Sequence, residues 1–293
     1  MGLPRIRQRL APGILPATPS FSGPALAPWL EHILLAGCER LVGLRANTPT
    51  PEQLARTVIV AHRGERDGQR IIENTLAAFD PVVAAGVGAI EFDIRYTRDD
   101  EPVVHHDATL ARTFGIDTAI ADLSWAELQH QAPAVPHLNT MVARYARRVG
   151  LMIELKERGT QTAERRLHAA LDNLVPGHDY RFLSLVPALF DAVADTPAAA
   201  RIVVAKTNWR DIRAWSKHHP CGGIAGPFVF IGQADIDALT ANDAFIGSGF
   251  LTHRGALMHE IARGVPWIFT NRPLALQGMV DAALEKSSAN ERQ

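Results

Sequence analysis

Val58-Ile59-Val60-Ala61-His62-Arg63-Gly64, then Gly88-Ala89-Ile90-Glu91-Phe92-Asp93, then Pro102-Val103-Val104-His105-His106-Asp107 form the stretch whose reading decides the fold. In each piece a short apolar run ends in polar, reactive side chains. Such runs read as buried strands, which places the polar groups at or near the strand ends. Two imidazoles, a guanidinium and a carboxylate pair brought from adjacent strands suit cleavage of a phosphodiester assisted by a metal ion.

Outward from this stretch the chain alternates strand-like and helix-like pieces. Further strands are expected at Leu151–Lys156, Arg181–Leu185, Ile202–Ala205, Ala244–Ser248 and Pro266–Thr270, with a shorter one at Gly223–Val229. Helical segments fall between them, at Thr75–Ala85, Asn139–Val149, Gln161–Leu174, Ala188–Ala194 and Leu257–Ala262. Strands alternating with helices predict an α/β protein, a TIM-type (β/α)₈ barrel over residues 57–284, rather than two small domains. One connection has no room for a helix. The turn-like Arg98-Asp99-Asp100-Glu101 lies midway between Asp93 and His106, so a hairpin centred on Asp99-Asp100 should place His106 almost opposite Asp93. Residues 108–138, which show no clear strand, read as an excursion over one barrel end.

Period-two alternation sorts the polar residues. Glu91, Asp93 and Arg95 share one face of their strand, and Glu154 and Lys156 share one face of another. Charges at strand C-terminal ends belong at the barrel mouth. There Glu91, Asp93 and Glu154 should converge, and three carboxylates left alone would repel until one took up a proton. One divalent cation resolves that repulsion, and an all-oxygen donor set suits Mg²⁺ or Ca²⁺ rather than zinc. His105 alternates with His106 and should point away, leaving His106 for the site.

Composition excludes several classes. The 293 residues are 47% hydrophobic and 21% charged, and 30 basic against 31 acidic residues give a net charge of -1, without the basic excess of a nucleic-acid binder. Cys38 and Cys221 cannot form a disulfide framework. No apolar run approaches the ~18 residues of a spanning helix, and the proline-broken start does not read as a signal peptide, so the expected location is cytoplasmic. Residues 1–56 read as an irregular arm and an amphipathic helix from Pro28 to about Arg45. That helix could pack on the barrel, make a homodimer contact or touch a membrane surface. Residues 285–293 are polar and expected to form a flexible tail.

The motifs together resemble the glycerophosphodiester phosphodiesterase family. They are His62-Arg63-Gly64, Glu73-Asn74-Thr75 with Ala78-Phe79, Glu91-x-Asp93 with Thr97-x-Asp99, Pro102-Val103-Val104-x-His106-Asp107, Leu110-x-Arg112-Thr113 and Ile153-Glu154-Leu155-Lys156. Gly264-Val265 leading to Phe269-Thr270-Asn271-Arg272-Pro273 resembles that family's last strand. The resemblance implies a barrel related to phosphatidylinositol-specific phospholipase C and a metal-dependent hydrolysis of a small glycerophosphodiester in lipid metabolism. It implies His62 and His106 as the acid/base pair, Glu91, Asp93 and Glu154 as metal ligands, Arg63 and Lys156 as phosphate contacts, and Glu73 as a brace. Four departures from the family pattern, at Glu65, Leu138-Asn139-Thr140, Leu185 and Phe250-Leu251-Thr252, are expected along the wall that meets the alcohol portion. Alternatives are a lysophospholipase D-like or sugar-phosphodiester enzyme on the same fold, or a binding module without catalysis. A long-chain substrate would need an apolar channel, expected near Trp209, Trp267 and the excursion.

Overall fold

Strand β1 (Val58–His62) pairs in parallel with β2 (Ala89–Tyr96) on one side and with β9 (Trp267–Thr270) on the other. In the computed structural model, which describes residues 37–43 and 48–290, this double pairing closes a ring. Between β2 and β9 run β4 (Gly150–Leu155), β5 (Tyr180–Ser184), β6 (Arg201–Val204), β7 (Gly223–Pro227) and β8 (Phe245–Gly249), all parallel. With β3 (Pro102–Val104) hanging antiparallel from the end of β2, the result is an eight-stranded parallel barrel with helices outside. This is the TIM-type (β/α)₈ architecture expected from the sequence.

The alternation of side chains builds two apolar layers. Ile90, Phe92 and Ile94 of β2 face outward into the main core with Phe79, Leu151 and Ile153. Val60, Ala89, Met152, Leu183, Ile202 and Phe269 fill the barrel interior. Helix starts are set by short polar caps. Thr75 accepts from the Ala78 N–H to open the helix Leu76–Ala84, and Thr50 with Gln53 forms a capping box at Pro51–Ala55. The excursion folds around a small core of its own, in which Leu110, Ile120, Leu123 and Leu128 pack on Val103. The last helix, Pro273–Asn290, carries residues 285–290 of the expected tail.

The hairpin register differs from expectation by one residue. Val104 pairs with Ile94 and Pro102 with Tyr96, which puts the centre at Asp99 rather than between Asp99 and Asp100. Asp100 takes a positive φ of 67°, and Thr97 N–H donates to the Glu101 carbonyl, closing an odd-membered turn. His105 is therefore the residue opposite Asp93, its N–H 3.0 Å from the Asp93 carbonyl. Beyond it the ladder ends, and the chain bends so that His106 enters the site.

Of the N-terminal region, residues 37–43 are helical and lie against the barrel. The expected arm, and the helix from Pro28 to residue 36, fall outside the described residues. No helix among the described residues is long and apolar enough to cross a membrane.

Candidate active site

His62 closes β1, and the chain turns sharply after it. Arg63 and Gly64 both have positive φ, 59° and 83°. A Cβ on Gly64 would come within 2.7 Å of Ala78, so only glycine lets this turn rest on the start of helix Leu76–Ala84. That contact aims Arg63 back across the mouth. Its Nη1 donates to Glu73 at 3.0 Å, and its Nε lies 3.1 Å from the Asp93 carboxylate.

Glu91, Asp93 and Glu154 are brought together as expected, with one donor oxygen from each within 4.8 Å of the others. All three are buried at 7% exposure or less. Lys156 Nζ sits 2.6 Å from Glu154 and 3.0 Å from Asp93. Asp93 also accepts from the Asn74 amide at 2.7 Å. Both Glu91 carboxylate oxygens are buried without a hydrogen-bond partner among the described residues. The acids consequently diverge. Burial works against ionising Asp93, but Arg63 and Lys156 outweigh it and hold Asp93 below the usual carboxylate range. Burial, reinforced by the Asp93 and Glu154 charges, pushes Glu91 well above that range. Glu154 is raised by burial and by Asp93, with Lys156 opposing. A buried acid cluster with unpartnered oxygens fits an oxygen-seeking divalent cation.

The two histidines are oriented by different partners. Asn271, just past β9, presents its Oδ1 to the His62 Nδ1 at 2.7 Å and to Arg66 Nη2 at 2.8 Å. A guanidinium only donates, so this Asn271 atom is the oxygen and His62 carries its proton on Nδ1. Nε2 is left unprotonated, 3.8 Å from Glu91. Burial first, then the Arg63 charge, lowers His62 to about 3, so the ring is neutral at physiological pH. His106 Nδ1 donates to Asp107 at 2.6 Å, which likewise leaves Nε2 to the pocket. Burial also lowers His106. Arg95 grips the His106 carbonyl through Nε and Nη2 at 3.0 and 2.9 Å. His105 turns away, as expected, bonding Thr113 and packing near Phe114.

Glu73 lies at the edge of the site among three guanidinium groups. It is met by Arg63, by Arg66 at 3.4 Å and by Arg112 at 2.6 Å, and Arg112 continues to Asp107 at 2.6 Å. Burial opposes ionisation of Glu73, yet these three guanidinium groups, led by the Arg112 hydrogen bond, hold it at about 2. Because that is below the unfolded value, the stabilisation is full above pH ~4.5 and disappears as pH falls from there through about 2. Arg112→Ala should therefore destabilise the fold by about 1–2 kcal/mol at pH 7, a figure reduced because Arg112 is half exposed. In urea titrations the deficit should shrink by pH 3. An equal deficit at both pH values would contradict this role for Glu73.

The pocket, about 240 Å³, is polar on one side and apolar on the other. His62, Arg63, Glu91, His106, Glu154 and Lys156 make the first side. Leu183, Leu185, Val204, Pro227, Phe250 and Phe269 make the second, with Lys206 among them. Of the four departures, Leu185 and Phe250 line this wall. Glu65 instead accepts from the Leu274 N–H, and Leu138–Tyr145 is an outer helix capped by His137. The apolar surface is also not where a long-chain channel was expected. Trp209 is buried against Asp235, and Trp267 lies under Arg181 at the opposite end of the barrel.

Asn271, Arg66, Asp107 and Arg112 carry contacts, and Lys206 a place in the pocket lining, that the sequence alone does not assign. Two had a usable signal. Asn271 continues the inward series Trp267, Phe269, and Lys206 continues Ile202, Val204, by the same alternation that picks out Lys156 after Glu154.

Comparison with known proteins places this geometry. Residues 62–230, more than half of the chain, match the model of the glycerophosphoryl diester phosphodiesterase family. Bacillus subtilis YhdW, which carries the provisional name glycerophosphodiester phosphodiesterase, is 30% identical over 162 residues, covering 47% of this chain and 66% of that protein. Rat lysophospholipase D GDPD1 is 41% identical over 69 residues, 24% of this chain and 21% of that one. The chain thus matches less than two thirds of the length of these relatives. Among solved structures, the Thermotoga maritima glycerophosphodiester phosphodiesterase superposes with a TM-score of 0.65 at 19% identity, over 76% of this chain and 98% of that one. An Oleispira antarctica phosphodiesterase in complex with the product sn-glycerol-3-phosphate gives 0.63 at 20% identity, over 76% and 96%. These two share the barrel. With the family model spanning the strands and strand ends that supply His62, Glu91, Asp93, His106, Glu154 and Lys156, the chain belongs to the glycerophosphoryl diester phosphodiesterase family.

Proposed function

We propose that the protein hydrolyses a glycerophosphodiester to an alcohol and glycerol phosphate, using one divalent cation, Mg²⁺ or Ca²⁺, and the His62/His106 pair. The observation that carries this reading is that both imidazoles have Nδ1 tied back, to Asn271 and Asp107, and leave Nε2 to one pocket beside three buried carboxylates. The product bound to the Oleispira antarctica neighbour is the phosphomonoester this reaction would release.

The substrate's glycerol hydroxyl next to the phosphate attacks phosphorus, and neutral His62 takes its proton on Nε2. The bond from phosphorus to the departing alcohol breaks. His106, its imidazolium steadied by Asp107, donates a proton to that oxygen. The cyclic phosphate then opens with water, His106 taking the water proton and His62 returning its own to the glycerol oxygen. Arg63 and Lys156 place positive charge beside the phosphoryl oxygens. A cation held by Glu91, Asp93 and Glu154 would offset the rest of the charge growing there. Glu73 acts through Arg63 and Arg112, holding both at the rim.

A second reading has its own support. Close in sequence to the wall residues Leu185 and Pro227, the segments that follow β5 and β7 expose Val186, Val229 and Phe230 at 49%, 36% and 42%. Such a surface suits the acyl chain of a lysophospholipid better than a bare glycerol, and the rat relative is named as a lysophospholipase D. A panel of glycerophosphocholine, glycerophosphoethanolamine and lysophosphatidylcholines of rising chain length tests both readings. Release of choline from glycerophosphocholine supports the first. A kcat/KM that climbs with chain length selects the second, and no turnover of any member overturns both.

A further inference from the structure

Phe250 is the side chain in closest ring contact with His62, their centroids 4.4 Å apart at 43°. It also forms part of the apolar wall and is 41% exposed. Its position is set by the short segment between β8 and the helix Arg254–Ala262. One end of that segment is tied to β9, where Thr270 Oγ donates to the Leu251 carbonyl at 2.6 Å.

The other end is tied to a residue outside the family match. Glu39, in the helical stretch 37–43, is 3% exposed. Its carboxylate accepts from the Thr252 N–H at 2.5 Å, the Thr252 hydroxyl at 2.8 Å and the His253 N–H at 2.6 Å. His253 is the N-cap of Arg254–Ala262, and its own side chain makes no capping bond. Glu39 thus places a buried carboxylate at the N-terminus of this helix, holding the N–H groups of its N-cap and of the residue before it. Four residues on, Gly43 lies on the same face of the stretch and meets Gly255 backbone to backbone, a Cβ on Gly255 coming 2.8 Å from the Gly43 Cα.

We propose that Glu39 is a positioning residue for the active site: it fixes the Thr252–His253 backbone, which sets the Phe250 ring against His62. The N-terminal region then contributes to a site whose reacting groups all lie in the barrel. The consequence for catalysis rests on the role given to His62 above, whereas the placement of Phe250 does not.

The test is a double-mutant cycle in the full-length chain with glycerophosphocholine and Mg²⁺, paired with the NMR signal of the His62 Cε1 proton. Glu39→Ala and Phe250→Ala should each lower kcat/KM about tenfold. The double variant should fall no further than either single, because both act through one ring. Both substitutions should move the His62 signal, which feels the Phe250 ring current. Glu39→Gln keeps one acceptor and should recover part of the loss. An unmoved His62 signal in Glu39→Ala, or losses that multiply in the double variant, overturns the proposal. If Glu39→Ala unfolds, Glu39→Gln carries the same comparison. Where the wild type fails to turn over glycerophosphocholine, the NMR shift alone decides the placement, and the failure belongs to the functional reading.

Discussion

Replacing His62 or His106 with alanine is expected to slow hydrolysis of glycerophosphocholine by two to four orders of magnitude, roughly what a positioned general acid or base contributes. The fold should survive in both variants. Each ring borders the pocket, and its removal exposes partners that water can satisfy. Asn271 and Asp107 provide the graded counterpart. Asn271→Ala leaves His62 in place but removes the oxygen that keeps its proton on Nδ1, so a smaller loss, about tenfold to a hundredfold, is expected. Steady-state kinetics with thermal melts check this series. Wild-type turnover in both histidine variants would sink the mechanism.

The second large effect concerns the cation. A chelator should abolish turnover, and Mg²⁺ or Ca²⁺ should raise the melting temperature of the wild type. At a concentration 100 times the dissociation constant the gain is about 2.7 kcal/mol. Glu91→Gln should remove most of that gain. It should also leave the cation-free protein at least as stable as the wild type at pH 7. The reason lies in the sign of the shift. Glu91 is raised well above the carboxylate range by burial and by its acidic neighbours. In the cation-free fold it therefore holds its proton where the unfolded chain has lost it, and stability declines as pH rises above ~4.5. Glutamine is neutral and escapes that penalty. For the wild type the cation must displace the proton, so the melting shift should be larger at pH 8 than at pH 6. Melts at the two pH values, with and without cation, measure both effects. A full cation-induced shift in Glu91→Gln would show that the ion binds elsewhere.

These two effects arise from groups separated by some 90 residues, from His62 to Glu154, and the spacing shows why so much could be read before the fold was known. Apolar runs ending in His62, Asp93 and Glu154 need only the period of a strand to be assigned a face and an end. Parallel strands of one barrel share a mouth, so the convergence of Glu91, Asp93 and Glu154 follows from topology alone. The hairpin was legible in kind but not in register, because a turn centred on Asp99 and one centred between Asp99 and Asp100 share the same residues. Only the positive φ of Asp100 decides between them.

Other features had no local signal. Arg66, Arg112 and Asp107 are ordinary polar residues in loops, and their pairing around Glu73 and His106 depends on how the excursion folds back on the mouth. Glu39 lies more than 200 positions from the segment that it holds, in a region with no motif to mark it.

By itself the sequence determined the barrel, the identity of the polar cluster and the all-carboxylate character of its acidic part, since each depends on residue type and strand period. The tertiary structure alone decided which nitrogen of each histidine carries the proton, which carboxylate lacks a partner and which side of the pocket is apolar. Those outcomes depend on contacts between residues distant in sequence, where burial and neighbouring charge, rather than residue type, set the chemistry.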